Sequence, residues 1–258
     1  MPDTISVESS GGVLTVTLNR PDVLNAVNDL LARELHDALR QAARDAVTRC
    51  VILTGAGRGF CSGADLRDRP GARPSYREHL HATFNPIIVA MRTMEKPVIA
   101  AVNGVAAGAG CSIALAADLR IASDRASFIE LFARIGLLPD SGSTWFLPRL
   151  VGLGKALEMC YTTDPVDAAE ALRLGLVNRV VPHEELMPKT MELAGRLAAG
   201  PTKAYGLTKR AIYFGLGASL EQSLEYEAQL QDVAGATTDH RQGVAAFLEK
   251  RQPKYEGR

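Results

Sequence analysis

Short apolar segments that alternate with helical segments constrain the fold of this chain more than any other feature. Cys50–Leu53 and Val98–Val102 have the unbroken apolar character of strands that are buried on both faces. A helix is predicted from Tyr76 to Met94, where Pro86 disturbs the pattern, and another begins near Ala109. A strand–helix–strand rhythm predicts βαβ units on a mainly parallel sheet, and therefore an α/β fold.

The N-terminal segment predicts a hairpin followed by a helix. Residues alternate in Ile5–Val7 and in Val13–Leu18, and the pair Gly11-Gly12 between them is a turn signal. Asn28 then precedes apolar residues at helical spacing, so its side chain is expected to cap that helix.

The C-terminal part is predicted to be helical. Beyond about Ser143 the strand signals nearly vanish, and Val177–Val181 is the one short exception. We therefore predict an α/β core over residues 1–195 and a helical region over residues 196–258.

Composition excludes several classes of partner. Lys plus Arg and Asp plus Glu both total 29, so the net charge is zero and we expect neither a nucleic-acid partner nor an anionic membrane. The longest apolar stretch, Val98–Ala117, is interrupted by polar residues and glycines, which argues against a membrane span. The four cysteines form no CxxC pair and the N-terminus lacks a signal-peptide pattern, so we expect a cytoplasmic protein.

Two Gly-rich segments, Phe60–Leu66 and Asn103–Gly110, each follow a predicted buried strand. Small residues let a ligand approach the backbone, and N–H groups at a helix start can bind a developing negative charge. Two such groups that converge on one oxygen would form an oxyanion hole. From the spacing alone, tight turns and close helix packing are the favoured explanation of the same glycines.

Several further motifs occur in order along the chain. Leu18–Pro21 is followed by Leu24-Asn25-Ala26, and Ile135–Gly142 and Gly175-Leu176-Val177 come later, before a tail at Gly243–Arg251. Together with the two Gly-rich segments they resemble the signatures of the crotonase superfamily, the enoyl-CoA hydratases and isomerases. The resemblance runs from about residue 4 to the C-terminus. It implies a crotonase-like spiral of ββα units with a helical C-terminal oligomerisation region, assembled as a homotrimer or dimer of trimers.

Within the superfamily, three stretches look closest to the ring-epoxide isomerases of phenylacetate breakdown. They are Leu53–Cys61, Val102–Gly110 and Ile135–Asp140, to which Thr144-Trp145 can be added. The substrate implied is a small acyl-CoA thioester, with no metal or redox cofactor, because CoA enters as part of the substrate.

The resemblance also implies site residues. The backbone N–H groups of Ala64 and Ala109 would bind the thioester carbonyl as it becomes an enolate. The CoA and substrate site would be lined by Asn25, Ala26, Ala64, Asp65, Leu66, Gly108, Ala109, Phe132 and Trp145. Val23 stands where the family often has a basic residue for the CoA phosphates, and Arg20 or Lys250 are the candidate substitutes.

The carboxyl groups distinguish the possible reactions. The two positions that carry the glutamates of the hydratases in this family are Ser112 and Phe132 here. Glu130 is two residues from Phe132, so on a strand both would face the same way, and it remains an alternative acid or base. A standard hydratase is therefore disfavoured.

Asp140 is the main catalytic candidate. Its segment Pro139–Gly142 is also a good turn, in which Asp140 would simply cap the next helix. The resemblance favours catalysis, because aspartate at this position occurs in isomerases of the family. We expect desolvation to raise the pKa of Asp140 and a nearby helix N-terminus to lower it.

The sequence thus predicts an acyl-CoA isomerase that shifts a double bond or opens a ring epoxide. An acyl pocket suited to a ring is predicted to be lined by Phe84, Phe132, Trp145 and Phe146. Ordinary core packing is the equally weighted alternative for these residues. The loop between Arg67 and Arg77 is expected to lie at the surface as a lid. The alternatives are a hydratase or lyase of the same family, and a non-catalytic relative that binds CoA or RNA.

Overall fold

The computed structural model describes residues 3–67 and 75–258, so the centre of the predicted lid loop lies outside the described residues. The strands are β1 (Ile5–Ser10), β2 (Val13–Leu18), β3 (Cys50–Gly55), β4 (Gly59–Cys61), β5 (Val98–Val102), β6 (Val105–Ala107), β7 (Leu119–Ser123), β8 (Ser127–Ile129), β9 (Val166–Asp167) and β10 (Arg179–Val181). The helices are α1 (Asp29–Arg44), α2 (Tyr76–Ala82), α3 (Phe84–Thr93), α4 (Ala109–Ala116), α5 (Ser143–Val151), α6 (Leu153–Thr162), α7 (Ala168–Arg173), α8 (Leu186–Ala198), α9 (Thr202–Gly215), α10 (Leu220–Gly235) and α11 (Thr238–Leu248).

The strands form two sheets, and the chain passes repeatedly from one to the other. The larger sheet has the order β1-β2-β3-β5-β7-β10, and the smaller sheet has the order β4-β6-β8-β9. Neighbours from β2 to β10 in the larger sheet are parallel, whereas β1 and β2 form an antiparallel hairpin. In the pairs β3–β4, β5–β6 and β7–β8, a longer strand of the larger sheet is followed in the chain by a short strand of the smaller sheet. This arrangement confirms the predicted α/β spiral of ββα units.

The N-terminal predictions are confirmed in detail. Gly11 and Gly12 have φ angles of +59° and +80°, which glycine adopts without steric cost and which suit a tight hairpin turn. The Asn28 side chain accepts a hydrogen bond from the Leu31 N–H and caps α1 as expected.

Two predictions about the middle of the chain need correction. The single helix predicted for residues 76–94 is two helices, because the backbone breaks at Thr83 (φ −120°, ψ −76°) and Pro86 lies in the first turn of α3. The Gly-rich segments, expected to be loops, contain the three-residue strands β4 and β6. Strands of that length inside a loop leave no periodicity for the sequence to reveal.

The C-terminal helices attach to the sheet at two places. Helix α8 packs Leu186 and Ala194 against Ile52, Ile99 and Ile121 of the larger sheet. The predicted boundary after residue 195 falls inside this helix, and a separate C-terminal domain stays a prediction. In the described residues, no helix combines the length and the apolar character that a membrane crossing requires.

Helix α9 is held by a partly buried ion pair. Lys209 Nζ lies 2.8 Å from Asp118 Oδ2, and the Tyr213 hydroxyl donates to Asp118 Oδ1 over 2.8 Å. Asp118 also accepts from the Val98 N–H, so the carboxylate ties α9 to the start of β5.

Candidate active site

The Asn25 side chain holds the first Gly-rich loop in place through hydrogen bonds to its backbone. Its side chain is fully buried, and Nδ2 lies within hydrogen-bond distance of the carbonyls of Gly59 (2.8 Å) and Ala56 (3.0 Å). Its Oδ1 accepts from the Arg20 N–H over 2.9 Å. The side chain therefore shapes the loop rather than facing a ligand, which refines the expectation that Asn25 lines the site.

Arg20 connects the N-terminal signature to the same loop. Its Nη2 lies 2.9 Å from Asp65 Oδ2, and its Nη1 donates to the Ala26 carbonyl over 2.5 Å. The Asp65 side chain is only 8% exposed. The guanidinium named above as a candidate for the CoA phosphates is thus already paired inside the protein.

The N–H of Ala64 points away from the segment at Val27, with which Ala64 is paired. Ala64 forms a parallel bridge with Val27, in which the Val27 N–H donates to Gly63 and the Asp65 N–H donates to Val27. In such a bridge the flanking residues make the bonds, so the N–H of the central residue points to the opposite side. Within the described residues the Ala64 N–H has no protein acceptor.

The N–H of Ala109 is the first of α4 and belongs to the free donors at a helix start. It too has no protein acceptor among residues 3–67 and 75–258. Gly108 precedes it with φ +52° and ψ −127°, a conformation that turns the chain from β6 into the helix. The positive end of the helix dipole adds to the attraction for a negative charge here.

The two loops touch at Gly63. A Cβ on this residue would lie 2.8 Å from the Ala107 oxygen and 3.3 Å from the Ala109 nitrogen. Gly63 also has φ +97°, in the region that favours glycine. The close approach brings the free N–H groups of Ala64 and Ala109 to the same cavity.

That cavity has a volume of about 290 Å³ and its wall is largely apolar. Its apolar lining includes Leu66, Leu80, Phe84, Phe132, Ile135 and Leu137. Its lining also includes Ala64 and Ala109, whose N–H groups have no protein acceptor in the described residues, and the polar residues Tyr76, His79, Arg134 and Asp140. The geometry therefore brings together Ala64, Leu66, Gly108, Ala109, Phe132 and Asp140 from the predicted site.

Asp140 is the carboxyl group on the described lining. Burial raises its pKa, and the hydrogen bond that Ser141 Oγ donates to its Oδ1 over 2.8 Å opposes that effect. Desolvation thus outweighs the Ser141 hydrogen bond, and the net effect is a raised pKa. Asp140 does not cap that helix, because the residue at the cap position of α5 is Gly142 and no side chain bonds there.

Neither hydratase position supplies a carboxyl group. Phe132 lies on the cavity wall, and Ser112 is fully buried in α4. Glu130 is also fully buried and is absent from the lining. The expectation that Glu130 and Phe132 share a face is wrong, because a 3-10 helix begins at Leu131 and the strand alternation no longer applies.

Trp145 and Phe146 lie in a different place from the one expected. They line a separate open cavity of about 620 Å³ with Arg92 and Tyr213, on the far side of Gly142. The Arg92 guanidinium stacks 3.3 Å from the centroid of the Tyr213 ring. Trp145 is absent from the described lining of the first cavity, so its contact with the acyl group stays a prediction.

Three lining residues with polar side chains, Tyr76, His79 and Arg134, were missed by the sequence analysis. Tyr76 and His79 come from α2, and Arg134 follows Phe132 in the 3-10 turn. Arg134 donates to Thr163 Oγ1 over 2.8 Å. Its place inside the Ile129–Gly136 stretch was the only available signal, because α2 carries no recognisable motif.

No group of three or more His, Cys, Asp or Glu side chains suitable for a metal ion occurs in the described part of the chain. The four cysteines are free thiols, three of them buried.

Comparison with known proteins agrees with this geometry. The enoyl-CoA hydratase/isomerase family model matches residues 8–258. A probable enoyl-CoA hydratase of Rhodobacter capsulatus is 44% identical and covers 99% of this chain and 98% of its own. The 1,2-epoxyphenylacetyl-CoA isomerase of Escherichia coli is 42% identical, with 96% of each chain covered. The enoyl-CoA hydratase structure from Bacillus anthracis superposes with a TM-score of 0.94 at 38% identity, over 99% of this chain and 100% of its own. The chain therefore belongs to the enoyl-CoA hydratase/isomerase family of the crotonase superfamily.

Proposed function

We propose that the protein is an isomerase of an acyl-CoA thioester, with Asp140 as the acid and base. The observation that carries this proposal is the set of carboxyl groups that line the 290 Å³ cavity. Asp140 is on the described lining, whereas Ser112 and Phe132 occupy the two positions at which the hydratases carry glutamate. A single carboxylate is suited to moving a proton between two carbons of one substrate.

The reaction begins with the thioester carbonyl between the N–H groups of Ala64 and Ala109. As Asp140 removes a proton from the carbon next to the thioester, or one double bond further along, negative charge develops on the carbonyl oxygen. The two N–H groups stabilise that enolate, an interaction that typically contributes several kcal/mol. Asp140 then returns the proton at another carbon, and the double bond has moved.

The raised pKa of Asp140 suits this exchange. A carboxylate with an ordinary pKa is a weak base at neutral pH, and burial in the apolar wall beside Leu137 and Phe132 makes it a stronger one.

We further propose a ring-bearing acyl group, so that the reaction includes the opening of a ring epoxide. Two aromatic side chains on the cavity wall, Phe84 and Phe132, support this, as does the similarity to the Escherichia coli isomerase. The hydratase relatives are equally similar, so the assay below includes both reactions.

Three further expectations accompany the reaction. We expect no metal or redox cofactor, and chelation should leave activity unchanged. We expect a cytoplasmic enzyme, consistent with the four free cysteines. We also expect a homotrimer or dimer of trimers, which sedimentation at several protein concentrations would measure, and no RNA shift in a gel assay.

The decisive test is a paired assay with Asp140→Asn as the matched variant. A 3-enoyl-CoA and a 2-enoyl-CoA are offered separately, and products are followed by mass and ultraviolet absorbance. We expect isomerisation of the 3-enoyl thioester without gain of mass, and its loss in the variant. Gain of one water by the 2-enoyl thioester, undiminished in the variant, would refute the proposal and favour a hydratase.

A further inference from the structure

A buried chain of hydroxyl groups links Glu130 to the backbone of Asp140. Ser143 Oγ lies 2.9 Å from Glu130 Oε1, and Ser112 Oγ lies 2.8 Å from Ser143 Oγ. Ser112 Oγ is in turn 3.0 Å from the Asp140 carbonyl oxygen. Three side chains and one backbone carbonyl, from helices α4 and α5 and from two loop positions, thus form an unbroken path that ends at the proposed base.

Glu130 is an unusual member of this chain, because a carboxyl group is costly to bury. Its exposed fraction is 0%, and its Oε2 has no hydrogen-bond partner in the described residues. Burial raises the pKa of Glu130 to about 7, the bonds from Ser143 and Cys111 oppose the rise, and the negative charge of Asp140 adds to it. The titratable groups that act on it are Cys111 on α4, Cys160 on α6 and Asp140.

The protonation of Glu130 decides the direction of the chain. The structure shows Ser143 Oγ donating to Glu130 Oε1. A neutral Glu130 can reverse that bond and donate to Ser143, which then donates to Ser112, which donates to the Asp140 carbonyl, so that each hydroxyl gives one hydrogen and accepts one. When Glu130 is ionised, Ser143 must donate to the carboxylate instead. The Ser143 oxygen, at 2.8 Å, then competes for the single hydrogen of Ser112 with the Asp140 carbonyl at 3.0 Å and the Gly108 carbonyl at 3.3 Å.

We propose that Glu130 is a positioning residue: as a neutral acid it directs the Ser143–Ser112 chain onto the Asp140 carbonyl and so fixes the base against the acyl cavity. This inference rests on the proposed role of Asp140. Ionised Glu130 would also place a second negative charge behind the site in which the enolate forms. The enzyme is therefore expected to slow as the pH rises through about 7.

Two substitutions of similar size separate positioning from mere packing. Glu130→Leu keeps the volume but removes the donor, so we expect kcat to fall about tenfold with little change in KM, as expected from the loss of one buried hydrogen bond. In Glu130→Gln the amide N–H replaces the acid O–H and cannot ionise. We expect it to rescue most of the kcat lost in Glu130→Leu and to remove the decline above neutral pH.

Ser143→Ala provides a second variant if Glu130→Leu does not fold. It interrupts the chain and leaves Glu130 in place, so kcat should fall and the decline with pH should become shallower, because only the charge of ionised Glu130 then acts on the site. Glu158→Gln, the same chemical change on an exposed residue of α6, is the matched control. A wild-type pH profile in Glu130→Gln, or an unchanged kcat in both Glu130→Leu and Ser143→Ala, would overturn the inference.

A titration without substrate distinguishes this inference from the proposed function. Carbon-13 NMR of glutamate carboxyl carbons follows Glu130 directly, with Glu130→Gln to assign the signal. We expect a midpoint near 7 that moves to lower pH in Asp140→Asn, because the like charge is removed. An unmoved midpoint would contradict the coupling even in an active isomerase. A coupled titration in a protein that fails to isomerise 3-enoyl thioesters would instead refute the proposed function alone.

Discussion

Gly63→Ala should disable the proposed oxyanion hole while leaving the protein folded. The new Cβ would lie 2.8 Å from the Ala107 oxygen, closer than carbon and oxygen atoms approach without strain, and 3.3 Å from the Ala109 nitrogen. Both neighbours are backbone atoms, so the strain is relieved only if the loop that carries Ala64 moves away from the start of α4.

Two costs follow from this geometry. A non-glycine residue at φ +97° costs about 1–3 kcal/mol of folding free energy. Separating the two loops also misaligns at least one N–H from the enolate oxygen, and loss of one such donor typically lowers kcat roughly 100-fold or more. The effect on kcat should therefore greatly exceed the effect on stability.

The assay compares kcat for a 3-enoyl-CoA with the urea-unfolding free energy. Gly175→Ala is the matched control, because its φ of +75° imposes similar backbone strain while its Cβ would meet only the Leu150 oxygen, at 3.7 Å. We expect both variants to be destabilised and only Gly63→Ala to be inactive. If Gly63→Ala keeps kcat within twofold of wild type, the proposed hole does not depend on this contact and the reasoning fails.

Three further predictions concern the supports of the site. Asp65→Asn weakens the 2.9 Å pair with Arg20 and should cost about 2 kcal/mol in urea unfolding, together with a higher KM for the CoA thioester. Lys209→Met leaves the Asp118 carboxylate without its cation and should cost about 3 kcal/mol, most of which Asp118→Asn in the same chain should restore. Asp140→Asn should raise the melting temperature at neutral pH, because the folded state no longer carries a carboxylate whose pKa is raised by burial.

The gain in melting temperature of Asp140→Asn should become smaller as the pH falls. A carboxyl group with a raised pKa opposes folding above that pKa, and the opposition disappears as the pH falls towards its ordinary value of 3.8. The melting temperatures of the wild type and of Asp140→Asn should therefore converge on acidification.

For the Lys209–Asp118 ion pair, Lys155→Met at an exposed pair on α6 is the control. A loss of unfolding free energy there equal to that of Lys209→Met would contradict the role of burial.

The sequence predicted those parts of the fold in which local chemistry and tertiary structure agree. Cys50–Leu53 and Val98–Val102 form central strands because an unbroken apolar run has no other stable place. Gly11-Gly12 and Asn28 act through bonds and angles within a few residues of themselves. These features require no knowledge of distant parts of the chain.

The missed features depend on distant partners. Helix α2 supplies His79 to the cavity only because α3 turns the chain at Thr83, and nothing local marks His79 as a lining residue. The same holds for Trp145, which α5 directs towards Arg92 rather than Asp140. Glu130 shows most clearly what the sequence could not predict. The strand alternation ends and a 3-10 helix begins at Leu131, so Glu130 is buried in the interior and does not line the cavity with Phe132.

The free N–H groups of Ala64 and Ala109 have a consequence for mutational tolerance. Every amino acid except proline carries this donor, so a substitution at either position changes the side chain without deleting the group that is proposed to contact the enolate. The acid or base, by contrast, is a single replaceable side chain on a separate turn. If the proposed roles are correct, a few substitutions around Asp140 can exchange one reaction for another, while Ala64→Pro or Ala109→Pro would abolish every activity that uses the two N–H groups.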